Sequence, residues 1–223
     1  MAQPVSMTLL GCSRRADMGV FSIQTPDAEC TQRVGRALAL ELLPGDCVAL
    51  VGDLGAGKTC LVRGLAEGLG CDAANVSSPT FTLMHRYTGS LCDLVHVDAY
   101  RLREAGELRD AGVDTSEPGA IIAIEWPRRV PGVLPARHVE VRITPIGETE
   151  RQIDVQDDHG TLAERLAAAV GPKACPSCKQ PADTFGAHWP FCGPRCRGAD
   201  LGRWLTGQYQ ISRPIEERDL DEG

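Results

Sequence analysis

Lysine is almost missing from this chain: Lys58, Lys173 and Lys179 are the only three among 223 residues. No run approaches the roughly 18–20 apolar residues that span a bilayer, so no membrane partner is expected. The opening stretch, MAQPVSMTLLGCSRRADMG, sets no cationic segment ahead of its short apolar run. A secretory signal is therefore not expected, and a cytoplasmic location is. A global basic footprint for nucleic acid is missing as well. The formal net charge is −7, and residues 215–223 alone carry −4 of it, leaving −3 for the rest. There is no internal repeat, and that acidic end is the one biased segment apart from a cysteine cluster.

What remains is ordinary globular usage, 43% hydrophobic and 24% charged. The length allows one full domain plus a small module. Ten cysteines are unevenly placed. Cys12, Cys30, Cys47, Cys60, Cys71 and Cys92 are scattered, and with no export signal they are expected to be reduced, inert thiols. Cys175, Cys178, Cys192 and Cys196 are grouped.

Thr25-Pro26-Asp27 reads as a helix start with Thr25 as the hydroxyl cap, followed by Val34, Ala37 and Leu38 at helical spacing. The apolar run at 47–51 has buried-strand character, and Leu61, Val62, Leu65 and Leu69 give a second helical period. Strands are expected at 81–84, 94–97 and 120–124; the last is continuously apolar, as suits a parallel strand covered on both faces. Residues 138–143 alternate, which suits a half-exposed strand, with 152–155 as its partner. Thr161 and Glu164 form a capping box for a helix to about Val170. Gly171-Pro172 then breaks the chain, and the composition turns to cysteine, proline and glycine.

Gly52-Asp53-Leu54-Gly55-Ala56-Gly57-Lys58-Thr59 matches G-x-x-x-x-G-K-[ST]. In that pattern glycines let successive backbone N–H groups curl toward phosphate oxygens, and a helix N-terminus faces the same anion. The lysine reaches the β- and γ-phosphates and the hydroxyl ligates Mg²⁺. Asp98 and Glu125 each stand at the carboxyl end of an expected strand, where ligands of open α/β sheets gather. His96 is either a proton shuttle or a packed strand-end histidine.

With Ser78-Pro79-Thr80-Phe81-Thr82-Leu83, His96-Val97-Asp98-Ala99-Tyr100-Arg101 and Ile124-Glu125-Trp126-Pro127 in this order, the sequence resembles the TsaE (YjeE) family of P-loop ATPases over residues 25–170. The resemblance implies Mg²⁺-dependent ATP hydrolysis in forming threonylcarbamoyladenosine at position 37 of tRNAs that read codons beginning with A. The chain would bind and reset a complex of the partners TsaB and TsaD, and so act on tRNA indirectly. It also implies that Lys58 holds phosphate, that Thr59 and Glu125 hold Mg²⁺, and that Asp98 belongs to the catalytic element. Trp126 would lie beside the nucleotide, and 78–80 would sense the γ-phosphate. The residues alone leave a small-molecule kinase open, with Arg128, Arg129 and Arg137 as its basic lid.

Cys175-x₂-Cys178 and Cys192-x₃-Cys196 are separated by 13 residues. Four thiolates fit a closed tetrahedral Zn²⁺ site of structural type, and a segment this short needs the metal to fold. Together with Ala199-Asp200-Leu201-Gly202-Arg203-Trp204-Leu205, the pattern resembles the YacG family of small zinc proteins over residues 174–211. That resemblance implies binding to the GyrB subunit of DNA gyrase and inhibition of supercoiling. Trp189 and Trp204 are expected to fill the module's small core; an RNA-stacking face made with Arg195, Arg197 and Arg203 is the alternative. The expected architecture is α/β: a P-loop NTPase-like, mostly parallel sheet with flanking helices, followed by a small Cys₄ zinc-knuckle domain. Its layout is an N-terminal extension (1–24), the ATPase domain (25–170), the zinc module (174–211) and an acidic tail (212–223).

Overall fold

The computed structural model describes residues 19–157, 161–184 and 188–207. Cys12, the acidic tail and residues 208–211 of the expected module lie outside the described residues. By its packing the chain divides between Val170 and Gly171 into two units.

The first unit is a seven-stranded mixed sheet. Its strands are β1 (Val20–Thr25), β2 (Cys47–Val51), β3 (Met84–Tyr87), β4 (Asp93–Asp98), β5 (Ala120–Glu125), β6 (Val139–Pro145) and β7 (Arg151–Asp157), in the order β1-β7-β6-β2-β5-β4-β3. The four central strands β6, β2, β5 and β4 run parallel, while β1, β7 and β3 pair antiparallel with their neighbours. The helices are α1 (Ala28–Ala39), α2 (Lys58–Gly68), α3 (Gly106–Asp110) and α4 (Thr161–Val170). As its unbroken apolar run requires, β5 is buried along its whole length. In β6, Val139, Val141 and Ile143 face inward and alternate with half-exposed Glu140 and Arg142. Val95, Val97, Ile122 and Ile124 form one face of the sheet and pack against Leu108, Val113 and Val133.

Three expectations differ from the structure. Residues 20–25 form a strand paired to β7, so the sheet reaches across the expected start of the domain at residue 25. The cap of α1 is Asp27, whose carboxylate accepts from the Cys30 N–H at 2.7 Å; Thr25 ends β1 and spends its hydroxyl on Thr31. The strand expected at 81–84 begins only at Met84, because the N–H groups of Thr82 and Leu83 turn back to the Pro79 carbonyl and leave Phe81 exposed.

Helix α2 is held by an unusually close crossing with α1. A side chain at Gly35 would run into the Leu61 carbonyl, and one at Gly64 into the Gln32 carbonyl. Only hydrogen atoms fit between the two backbones at these points. Gly64→Ala is expected to cost about 1–3 kcal/mol, the usual range for overpacking, read as a lower urea or thermal midpoint. An unchanged midpoint would show that the helices do not meet this closely.

Candidate nucleotide site and metal centre

The chain leaves β2 at Val51, curls through residues 52–57 and enters α2 at Lys58. Gly57 caps the helix at φ +110°, a left-handed conformation that glycine adopts with little strain. Gly52 lies where a side chain would strike the Ile143 carbonyl of β6 at 2.5 Å. The loop is therefore seated on the neighbouring strand as well as on its own. Asp53, Leu54 and Gly55 form its exposed crest, and Ala56 is buried beneath them.

Lys58 is buried, and its Nζ donates to the carbonyls of Gly52 and Asp53, each at 2.9 Å. The same ammonium lies 3.7 Å from the centre of the Trp126 ring. Burial lowers its pKa, and the carboxylates of Glu125, Asp98 and Asp53 oppose that shift. Trp126 occupies a left-handed conformation at φ 60°, ψ 37°, which for a bulky residue stores about 1–3 kcal/mol of strain. Its ring is kept in place from the other side by an edge contact with Tyr100, 5.3 Å between centroids.

The parallel register sets Asp98 directly beside Glu125, and His96 beside Ala123 two residues earlier. Side chains alternate along a strand, so Glu125, Asp98 and His96 share one face. Glu125 Oε1 accepts from the Thr59 hydroxyl at 2.8 Å and is 2.9 Å from Nε2 of fully buried His96. Of the two readings of His96, the packed strand residue describes its burial. Its bond to Glu125 adds a polar duty that the sequence did not reveal, and its Nδ1 has no hydrogen-bond partner among the described residues. Asp98 Oδ2 accepts from the hydroxyls of Thr80 at 2.7 Å and Ser78 at 3.4 Å, while Oδ1 accepts from the Tyr100 N–H at 2.9 Å. Lys58, Thr59, Asp98, Glu125 and Trp126 thus converge at one end of the sheet. A cavity of about 290 Å³ opens beside them, lined by Gly52, Asp53, Trp126, Arg128, Arg129 and Arg142. A hydroxyl and a carboxylate already in contact next to backbone amides are a donor set suited to a hard, oxygen-seeking cation such as Mg²⁺.

Of the arginines expected of a kinase lid, Arg128 and Arg129 line this cavity but are engaged by neighbouring side chains, and Arg137 lies apart from them. Arg128 is held by both oxygens of Glu140 at 3.1 Å, Arg129 stacks on Tyr100 at 4.5 Å, and Arg137 lines a separate cavity with Glu41 and Asp46. Sequence reading also missed Arg151, whose Nε donates to the Ala56 carbonyl at 2.9 Å. It lies about a hundred residues beyond the loop and belongs to no motif, so only the β6–β7 pairing reveals it. The scattered thiols are quiet: burial pushes Cys30 and Cys47 up to about 12 and raises Cys60, Cys71 and Cys92.

The second unit holds the four-cysteine cluster. Strands β8 (Lys173–Ala174) and β9 (Pro181–Ala182) pair antiparallel around a tight knuckle. In it the Cys175 carbonyl accepts from the Lys179 N–H at 2.9 Å, and the Cys175 N–H donates to the Gln180 carbonyl at 2.8 Å. Helix α5 (Pro194–Leu205) carries Cys196 in its first turn, with Cys192 just before it. Arg203 donates to the Ser177 hydroxyl at 2.7 Å and ties the helix to the knuckle. The ligand atoms of Cys175, Cys178, Cys192 and Cys196 lie within 4.8 Å of one another. Tetrahedral zinc with Zn–S near 2.3 Å spaces its sulfurs about 3.8 Å apart, so the cluster fits that ion. Burial opposes ionisation of Cys175, yet the N–H groups of Cys178, Cys192 and Ser177 hold it down to about 6. Cys196 is pushed up to about 12 by the Cys178 and Cys192 sulfurs, and Cys192 is raised by the Cys178 sulfur against the opposing effect of Cys196.

The expected tryptophan core of this unit is not present. Trp189 is 39% and Trp204 70% exposed, and α5 has no buried residue. The side chains are too few to enclose a ring, so the cysteine cluster organises the module in place of an apolar core.

Comparison with known proteins bears on both units. Residues 25–153 match the family model described as "Threonylcarbamoyl adenosine biosynthesis protein TsaE", and residues 173–222 match "DNA gyrase inhibitor YacG". The chain is 37% identical over 148 residues to the tRNA threonylcarbamoyladenosine biosynthesis protein TsaE of Bacillus subtilis, covering 65% of this chain and 92% of that protein. To the protein of the same description from Streptomyces coelicolor it is 42% identical over 142 residues, 62% of this chain and 95% of that one. The crystal structure of Bacillus subtilis YdiB superposes with a TM-score of 0.55 at 28% identity, over 67% of this chain and 95% of that chain.

The thiol pattern yields a measurable consequence. Zinc binds thiolates, and Cys192 is raised while Cys196 is pushed up to about 12, so loading zinc into metal-free protein is expected to release at least two protons per ion. Calorimetry in buffers of different ionisation enthalpy reads this number; zinc uptake without proton release would contradict the arrangement.

Proposed function

The chain belongs to the TsaE family, and from that membership and the site's geometry we propose that it is a Mg²⁺-dependent ATPase of tRNA threonylcarbamoyladenosine formation. The observation that carries the reading is the 2.8 Å contact between Thr59 and Glu125, which brings the loop's hydroxyl and a strand-end acid to one point. The backbone amides of residues 52–59 would receive the phosphates. Lys58 would exchange the carbonyls of Gly52 and Asp53 for phosphate oxygens, a trade that leaves a buried ammonium paired throughout. Thr59 and Glu125 would hold Mg²⁺, which when bound neutralises charge on the β- and γ-phosphates. His96 keeps Glu125 oriented, and Asp98 anchors the 78–80 segment through two hydroxyls, which gives that segment a route to the terminal phosphate. Trp126 would flank the nucleotide from its place over Lys58.

Arg128 is paired with Glu140, Arg129 is stacked on Tyr100 and Arg137 lines a separate cavity, which favours transfer to water over transfer to a small acceptor, since a kinase lid needs mobile cations to screen the moving phosphoryl group. In this reading the cytoplasmic chain binds TsaB and TsaD, hydrolyses ATP to reset their complex, and touches tRNA only through them. The second unit carries structural zinc on Cys175, Cys178, Cys192 and Cys196, and presents a protein-binding face that includes exposed Leu201, Trp204 and Leu205. GyrB is the partner proposed for it, on the match of residues 173–222.

Lys58→Ala and Glu125→Gln are each expected to lower MgATP hydrolysis by roughly a hundredfold, the scale for losing one group that stabilises the moving charge. In cells depleted of the protein, the modified adenosine should disappear and return with the wild-type chain but not with Lys58→Ala. Normal tRNA modification after complete depletion would reject the function.

A further inference from the structure

Arg151 opens β7, two strands away from β2 in the sheet, yet its guanidinium reaches the phosphate loop. Nε donates to the Ala56 carbonyl at 2.9 Å. Nη1 donates to the carbonyls of Glu150 at 2.9 Å, Glu148 at 3.3 Å and Gly147 at 3.4 Å. These last three belong to the turn between β6 and β7, which is closed by the Ile146 N–H on the Glu150 carbonyl at 3.1 Å. One planar side chain therefore joins the loop to a fixed support.

The choice of Ala56 as acceptor has a geometric effect. A peptide unit is planar and trans, so a carbonyl and the N–H that follows it point in opposite directions. Drawing the Ala56 carbonyl toward Arg151 turns the Gly57 N–H away from Arg151. Gly57 sits at φ +110° and, having no side chain, offers little resistance to a flip of the 56–57 peptide. Flipped, that peptide would present a carbonyl oxygen where a phosphate needs a donor. A Cβ built on Gly57 would lie 3.9 Å from Arg151 Nε, so the guanidinium stands directly against this peptide.

We propose that Arg151 is a positioning residue that fixes the direction of the Gly57 N–H and so sets the affinity of the loop for the terminal phosphates of a nucleotide. The proposal rests on the nucleotide-binding reading above. It adds to that reading a residue from outside the motif and a mechanical link from the exposed 147–150 turn to the loop.

The test uses the full chain as wild type, Arg151→Met and Arg151→Lys, with MgATP binding by calorimetry, steady-state hydrolysis, the melting midpoint without nucleotide, and the ¹⁵N–¹H resonance of Gly57. Arg151→Met is expected to weaken MgATP binding roughly tenfold or more and to lower kcat, because an anion-stabilising donor is misdirected. Its nucleotide-free midpoint should stay close to wild type, and the Gly57 resonance should shift or double. Arg151→Lys keeps the charge but cannot span both the Ala56 carbonyl and the turn, so it should recover less than half of the loss on a logarithmic scale. Wild-type affinity in Arg151→Met, full recovery in Arg151→Lys, or an unmoved Gly57 resonance would each overturn the proposal. Failure of the wild-type chain to bind MgATP would instead reject the nucleotide reading, and the Gly57 resonance would still decide whether Arg151 holds the peptide.

Discussion

Leu50 pairs with Glu125 in the parallel ladder between β2 and β5, and this register decides where the groups of the candidate nucleotide site stand. It brings the end of the strand that feeds the loop level with the end of the strand that carries the acid. The Trp126 N–H then donates to the Leu50 carbonyl at 3.3 Å, extending the pairing one step past the acid. Side chains alternate in direction along a strand, so a slip of one residue would turn Glu125 to the opposite face and part it from Thr59. The neighbouring ladder repeats the constraint, placing Asp98 in line with Glu125. The unbroken burial of β5 is what pins both registers, since a one-residue slip would carry Glu125 into the place of Ile124, or Ile124 into the place of Glu125.

The site is polar, buried and almost closed upon itself. Lys58, Glu125, Asp98 and His96 are all buried; loop carbonyls meet Lys58, His96 and the Thr59 hydroxyl meet Glu125, and the Thr80 and Ser78 hydroxyls meet Asp98. Such groups are costly to leave unpaired in an interior of low dielectric, and His96 Nδ1 is the exception among them. The same economy makes them exchangeable. A phosphate offers Lys58 oxygens as good as those it now holds, and a cation offers Glu125 more than the Thr59 proton does. The zinc unit follows the opposite logic. Four thiols crowd together with little apolar enclosure around them, so their order depends on a cation drawing the sulfurs to one centre.

The candidate groups of both units were legible in the sequence because each set rests on short spacings. Eight consecutive residues define the loop, the acids directly follow apolar runs, and the cysteines fall in two tight pairs. Contacts made across long sequence separations were not legible. His96 meets Glu125, and Arg151 meets Ala56, only after strands far apart in the chain have paired. Local competition also misled the reading. Asp27 outbid Thr25 for the helix cap because a carboxylate two residues later reaches the free N–H groups while Thr25 is still committed to β1. Residues 81–83 looked like strand by their β-branched and aromatic character, but the Pro79 carbonyl captured their N–H groups in a turn. Trp189 and Trp204 were assigned inward by hydrophobicity alone, which fails where there is too little chain to make an inside.

The glycine crossing of α1 and α2 bears on how the loop can respond to its ligand. With backbone against backbone at Gly35 and Gly64, α2 has no side-chain cushion along which to slide or roll. It behaves as an anvil: the dipole at its first turn keeps a constant aim, and the work of accommodating an incoming anion falls on residues 52–57 and on the 78–83 segment, whose restraints are individual hydrogen bonds and not packed helices.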